Sequence, residues 1–279
     1  VGAINEEGKI IKKVQENILF VAQEEAKELI MNKIIFLINS LTKDLKIPAF
    51  IVEEIGIAVP GIIKNNVIEK CKKYGIENWD LAKELEMRFG VKVRLSNDAV
   101  ASAKAEYKFG NLKETRNSLF MCLGTGIGGA IILDDYIYPS EIGHMVIQKD
   151  GIECHCGRKG CFEKYASMRT FKLGLIKLLN LKEETTSEEL LEILKEQKEN
   201  EEVSHYIGGY LTTLVLGISS ICNIINPEKV CIGGSFAYYE EILFEKLKEK
   251  INNAVFQFDK PEIALAQLQN DAGIVGAIL

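Results

Sequence analysis

The sequence predicts an α/β protein with a zinc knuckle set into it. Two observations predict the class. Short apolar strands alternate with amphipathic helices along the chain, and Gly-rich turns follow two of those strands, after Leu123 and after Ile232, which hints at a doubled architecture. The knuckle is the third observation. Cys154, Cys156 and Cys161 fall within eight residues, and His144 stands ten residues before the first of them. Thiolate and imidazole are the ligands zinc prefers, and four of them close a tetrahedron. Gly157 and Gly160 stand where a tight knuckle needs positive φ. The competing reading is a set of buried free thiols with His144 as a satisfied core histidine. Three cysteines among glycines and charges make poor core, which favours zinc. His155 is a rival nitrogen ligand, although its side chain, between two ligating cysteines, is expected to point away from theirs.

At 279 residues and 47% hydrophobic, the chain can build one large domain or two of medium size. A net charge of −6 and a pI near 5.4, with no basic stripe, argue against a nucleic-acid surface. The run Leu211 to Ile225 is interrupted by Thr, Ser and Asn and is too short to span a bilayer. No signal peptide opens the sequence, and seven unevenly spaced cysteines form no disulfide framework. These features together place the expected protein in the cytoplasm, away from membranes.

In chain order, Val1 to Ile11 reads as a hairpin with Glu7-Gly8 at its tip. A helix over about Ala22 to Asp44 follows from apolar residues at helical spacing, with Pro48 as its stop. Glu54 to Val59 is a buried strand entering the Pro60-Gly61 turn, and a loop is expected from there to Glu77. Trp79 to Phe89 is a helix closed by Gly90, and Val91 to Leu95 is a strand. Asn117 to Leu123 and Ala130 to Leu133 are strands, and Glu163 begins a helix through Tyr165 and Met168. Thr186-Ser-Glu-Glu is a capping box leading into Leu190 and Leu194. The run Glu196 to Glu202 is expected as a solvated helix face. A long apolar helix over roughly Val203 to Ile225 precedes a strand at Lys229 to Ile232. A helix at about Tyr239 to Ile251, a strand at Glu262 to Ala266 and a terminal helix from Asp271 complete the chain.

Two of these junctions carry chemistry. Ser96-Asn97-Asp98 links a strand to a helix, Ala99 to Phe109. Its polar side chains could cap the first turn, or a carboxylate there could face the ligand crevice at the C-terminal end of a strand. Position alone leaves both open. Between two strands, Gly124-Thr125-Gly126-Ile127-Gly128-Gly129 holds four glycines in six residues. It neither opens a helix, as the dinucleotide fingerprint must, nor ends in Lys-Ser/Thr as a Walker loop does. A plain hairpin rarely needs so many glycines, so a phosphate or sugar loop is favoured.

Together these stretches resemble the repressor, open-reading-frame and kinase (ROK) family of sugar kinases, in the actin and hexokinase superfamily. The matching motifs are A-V-P-G at Ala58–Gly61, S-N-D-A at Ser96–Ala99, L-G-T-G-I-G-G-A at Leu123–Ala130 and E-I-G-H…C-H-C-G-R-K-G-C-F-E at Glu141–Glu163. Further on stand I-N-P-E-K-V-C-I-G-G-S at Ile225–Ser235 and D-A-G-I-V-G-A at Asp271–Ala277. Order and spacing agree over nearly the whole chain. The family opens with a strand and an Asp-x-Gly-Gly-Thr phosphate turn, and the Val1 hairpin resembles the family's segment just C-terminal to that turn. Only Pro139-Ser140 stand where family members carry a longer Gly/Ala-rich loop before Glu-x-Gly-His.

The resemblance implies a two-lobed, actin/hexokinase-like (ribonuclease H-like) fold. One lobe would be residues 1–117 with the terminal helix 271–279; the other would be 118–259, with the knuckle over 144–161. The sugar would lie in a cleft between them. By the same resemblance, Asp98 is the general base. Gly61, Asn97, Asp98, Glu141, His144 and Glu163 contact the sugar. Gly124, Thr125, Gly126 and Gly128 form the second phosphate loop, Gly233 and Gly234 lie beside the adenosine, and His144, Cys154, Cys156 and Cys161 bind a structural zinc. The implied activity is ATP-dependent transfer of the γ-phosphate to the C6 hydroxyl of a hexose, glucose foremost, with Mg2+ and Zn2+ required. An N-acetylmannosamine or other N-acetylhexosamine kinase, a sugar-sensing repressor and a zinc-stapled binding module are the alternatives. The expected partners are a small sugar and a second copy of the chain in a homodimer, with neither nucleic acid nor membrane.

Overall fold

A computed structural model describes residues 1–18, 25–46, 52–256 and 259–279. Two compact units divide the chain: Val1–Phe109 with Asn270–Leu279, and Gly110–Gln269.

In the first unit, β1 (Gly2–Ile4) and β2 (Ile10–Lys13) form the expected antiparallel hairpin. Helix α1 spans Ala26–Leu45 and turns Ala26 and Leu41 into the core. The beginning of the expected helix and its Pro48 stop lie outside the described residues. Strand β3 (Glu54–Val59) enters the Pro60-Gly61 turn as expected. The stretch expected as a loop is instead an antiparallel sheet of β4 (Ile62–Lys64), β5 (Val67–Cys71) and β6 (Ile76–Trp79). Asn65 and Asn66 both adopt positive φ between Lys64 and Val67, the two-residue hairpin turn whose twist suits antiparallel strands. Trp79 ends β6 rather than opening a helix. Asp80 caps α2 (Leu81–Phe89), and Gly90 closes it.

Strand β7 (Lys92–Asn97) pairs in parallel with β3, Glu54 opposite Lys92 through Val59 opposite Asn97. Its other edge is met by a side chain: Asn66 Nδ2 donates to Val93 O at 2.8 Å, and Leu95 N–H donates to Asn66 Oδ1 at 2.7 Å. One amide thus hydrogen-bonds the edge as a strand backbone would. Helix α3 (Asp98–Phe109) buries Ala101, Ala103 and Ala105, small enough for the C-terminal helix to lie close, with Gly276 against the Ala101 carbonyl.

The second unit is built on a five-stranded sheet. Strands β8 (Ser118–Leu123), β9 (Ile127–Leu133) and β10 (Tyr136–Ser140) form an antiparallel meander. Strand β10 was not foreseen; Asp134 and Asp135, both at positive φ, make its two-residue turn. It runs directly into Glu141. Helices α4 (Glu163–Ala166) and α5 (Met168–Leu178) stand where one continuous helix was expected, divided at Ser167, whose hydroxyl caps α5. The capping box at Thr186 forms as read, with Glu189 N–H donating to the hydroxyl and the Glu189 carboxylate accepting from Thr186 N–H, and opens α6 (Ser187–Glu196). The run Glu196 to Glu202 is not one helical face. It spans the end of α6, a turn, and the start of α7 (Glu201–Ile225), where Asn200 caps.

Helix α7 is long and apolar enough to cross a membrane by length and composition. Val203, Ile207, Leu211, Leu214, Ile218 and Cys222 instead lie in the core of this unit with Phe162, Phe171 and Phe236. Strand β11 (Lys229–Gly233) runs parallel beside β8, helix α8 (Glu240–Ala254) follows, and β12 (Glu262–Leu265) is the parallel edge strand. The last helix, α9 (Ala272–Gly276), belongs to the first unit.

Candidate active site and metal centre

In the first unit, parallel pairing brings the C-terminal ends of β3 and β7 side by side, Val59 opposite Asn97. Glycine is required at position 61, because a Cβ there would lie 2.5 Å from Lys70 O. Asn97 then joins both strand ends. Its Nδ2 donates to Gly61 O at 3.1 Å, and its Oδ1 accepts from Ala99 N at 2.9 Å and Val100 N at 3.2 Å. The main helix cap is therefore Asn97. Asp98 is the first residue of α3; its Oδ1 accepts from the adjacent Ala99 N–H at 2.9 Å, and its side chain is exposed. Beneath the turn, the Cys71 thiol donates to Pro60 O at 3.1 Å, and burial raises its pKa, which keeps the donor protonated.

In the second unit, the ligand atoms of His144, Cys154, Cys156 and Cys161 all lie within 4.8 Å of one another. Cys154 Sγ is 3.5 Å from His144 Nδ1, and Cys156 Sγ is 3.5 Å from Cys161 Sγ. A tetrahedral zinc with ordinary bond lengths sets S···N edges of about 3.6 Å and S···S edges of about 3.8 Å. The donor set therefore fits zinc in both chemistry and size. The backbone holds it: Cys154 N donates to Arg158 O at 2.8 Å, Gly160 N to Ile152 O at 2.9 Å and Phe162 N to Met145 O at 2.8 Å. Gly160 has φ +79, and a Cβ there would lie 1.7 Å from Gln148 O, so no other residue fits. Burial pushes the Cys154 thiol up to about 12 and also raises Cys161. The Arg158 backbone N–H, aided by its guanidinium, brings Cys156 down to about 6.

Glu163, at the N-terminus of α4, has its Oε1 3.4 Å from Cys154 Sγ and its Oε2 against Gly126, where a Cβ would be 2.6 Å away. Glu141 is exposed, with Oε2 3.9 Å from His144 Nε2. His155 does not point away as expected. Its Nδ1 folds back to within 3.3 Å of Glu163 Oε1 and 3.8 Å of Cys154 Sγ, which makes a second cluster with His144 and Glu163.

The two glycine turns lie side by side because β8 and β11 are parallel neighbours, Gly233 opposite Cys122. The first turn is Gly124-Thr125-Gly126, closed by Gly124 N–H to Gly126 O at 3.0 Å; Gly128 is already in β9. Gly234, at φ +81, packs on Leu123 O, and the Ser235 hydroxyl donates to that same carbonyl at 3.4 Å. Sequence reasoning missed Arg169, an exposed residue in the first turn of α5 whose N–H donates to Gly124 O at 3.2 Å. Nothing local in the sequence marks that contact.

The sequence profile of the ROK family matches residues 1–279. The chain is 30% identical to a glucokinase of Thermotoga maritima, over 99% of this chain and 92% of that protein. It is also 30% identical to a xylose repressor of Caldicellulosiruptor bescii, over 80% of this chain and 61% of the repressor. Among solved structures, a ROK family glucokinase from Streptomyces griseus in complex with glucose and AMPPNP superposes with a TM-score of 0.80 at 23% identity, covering 99% of this chain and 93% of that one. That match shows the fold: mixed α/β of the actin/hexokinase-like kind. With its whole length matched by the family profile, the chain belongs to the ROK family.

Proposed function

We propose that the chain is an ATP-dependent sugar kinase, with the C6 hydroxyl of a hexose as acceptor and glucose as the first candidate. One observation carries the reading: an exposed carboxylate, Asp98, stands at the C-terminal end of a parallel strand, beside a cap that Asn97 supplies. Such strand ends are where α/β folds bind ligands. Asp98 accepts the hydroxyl proton as the sugar oxygen attacks the γ-phosphorus, and the bond to the β,γ-bridging oxygen breaks with ADP leaving. Phosphoryl transfer asks a protein mainly for position and charge stabilisation, so one well-placed base is sufficient. The turns Gly124–Gly126 and Gly233–Gly234, at adjacent strand ends, are assigned to the nucleotide, and Mg2+ would enter with its phosphates.

Gly61, Asn97, Glu141, His144 and Glu163 are assigned to the sugar hydroxyls, for which carboxylates and amides are suited as acceptors. His144, Cys154, Cys156 and Cys161 would hold zinc. With four protein ligands it would be a structural staple, leaving no open position for substrate. The glucokinase of Thermotoga maritima supports the substrate class. The xylose repressor match supports a second reading, a sugar-sensing regulator that binds the same class of ligand without phosphorylating it. Coupled measurement of ADP release with glucose, N-acetylglucosamine, N-acetylmannosamine and xylose separates them. The kinase reading expects sugar-dependent ADP release, slowed by about 10²–10⁴ in Asp98→Asn; the sensor reading expects sugar binding with none.

A further inference from the structure

We propose that His155 is a positioning residue for Glu163, the donor that remains to this carboxylate once its neighbours are committed to a metal. The inference rests on the sugar-kinase reading above, in which Glu163 contacts the sugar. Among the described residues, three side-chain groups approach Glu163 Oε1: His155 Nδ1 at 3.3 Å, Cys154 Sγ at 3.4 Å and His144 Nδ1 at 3.9 Å. Two of the three are ligand atoms of the tetrahedral cluster, where they lie 3.5 Å apart. Metal ligation takes a thiolate and an imidazole nitrogen with its lone pair turned to the ion. Cys154 then has no proton to donate and becomes a negative neighbour, and His144 Nδ1 has none either. His155 is outside the four-ligand set. With its proton on Nδ1 it keeps a donor aimed at Glu163.

The need for such a donor follows from burial. The Glu163 side chain is only 11% exposed, and a carboxylate so placed loses much of its hydration and requires a partner. His155 is 57% exposed and meets His144 edge-on, ring centroids 5.1 Å apart, so it reaches the carboxylate from the outer side of the knuckle. The other carboxylate oxygen, Oε2, abuts Gly126. One carboxylate oxygen thus meets an imidazole and the other the glycine turn, and a change at His155 alters the direction of the carboxylate without removing a metal ligand.

The test uses zinc-loaded full-length protein, with calorimetric titration of glucose, N-acetylglucosamine, N-acetylmannosamine and xylose into wild type, His155→Ala and His155→Gln. Zinc content and melting temperature are measured on each. Expected is a Kd for the bound sugar weaker by about five- to tenfold in His155→Ala, the size of one ordinary hydrogen bond. His155→Gln, whose amide restores a donor, should stay within about twofold of wild type by the same reasoning, and all three should retain one zinc per chain. In turnover the effect should fall on KM more than on kcat. An unchanged Kd in His155→Ala overturns the inference while leaving the sugar reading intact. Loss of zinc together with sugar affinity also overturns it, since His155 would then act through the metal. A wild type that binds none of the four sugars overturns the sugar reading, and this inference with it.

Discussion

At the residue scale, the decisive question is what Asp98 does beside Asn97. Asn97 accepts from Ala99 N and Val100 N, so the capping contribution of about 0.5–2 kcal/mol belongs mainly to it. Asn97→Ala should lower thermal stability accordingly and loosen the Gly61 turn it holds. Asp98→Ala should cost less stability, on the order of 0.3–1 kcal/mol, from loss of a negative charge at a helix N-terminus. Its effect should fall on turnover. Asp98→Asn should reduce kcat by about 10²–10⁴ while sugar binding weakens by only ~1 kcal/mol. Melting curves, calorimetry and steady-state rates on the three variants check these outcomes together. The residue types at this junction were legible in the sequence, but the division of labour was not. Either side chain can cap, and only the backbone directions at Asn97 decide which oxygen meets the N–H groups. His155 is a similar case: its neighbours suggested a direction, and the carboxylate of Glu163, brought close by the knuckle's fold, supplied the opposite one.

At the element scale, the knuckle and the edge of β7 make separate predictions. Cys156→Ala removes one corner of the tetrahedron, so zinc content should fall from one per chain toward zero, and sugar affinity with it, because Glu163 and His144 lose their common anchor. Chelation of zinc from the wild type should reproduce that loss, and zinc should restore it only in the wild type. Asn66→Ala leaves Val93 O and Leu95 N without their amide partner and should destabilise by about 1–3 kcal/mol in denaturant unfolding. Asn66→Asp keeps the acceptor for Leu95 N–H but sets an oxygen against Val93 O, so it should not rescue. Helices with apolar residues at regular spacing, and the Thr186 capping box, were readable because their signals are local. The strands β4, β5, β6 and β10 were not read. Two of their turns, Asn65-Asn66 and Asp134-Asp135, lack the glycine that marks a hairpin most plainly, and their charged residues resembled a loop. The continuous helix expected after Glu163 failed at Ser167, whose side chain caps a new helix instead of continuing the old one.

At the scale of the whole molecule, the order of motifs was informative where composition was silent. The turn at Gly61, the junction at Asn97, the glycine turns at Gly124 and Gly233 and the cysteine knuckle stand in the order of the ROK family, and the family profile spans residues 1–279. The clustering of His144 with Cys154, Cys156 and Cys161 was legible because the ligand types and their spacing favoured a metal site, and the family resemblance selected His144 over His155. The reach of Glu163 to the Gly126 turn was not, since it depends on where the tertiary fold sets the start of α4 against that turn. What distinguishes a kinase from a sugar sensor on this fold is chemistry, and one measurement addresses it directly: quantification of ADP and sugar 6-phosphate formed by zinc-loaded full-length protein given MgATP and glucose. The two products should form in equal amounts, about 10²–10⁴ more slowly in Asp98→Asn although that variant still binds glucose. Binding of glucose with no ADP formed, or full turnover by Asp98→Asn, would contradict this expectation.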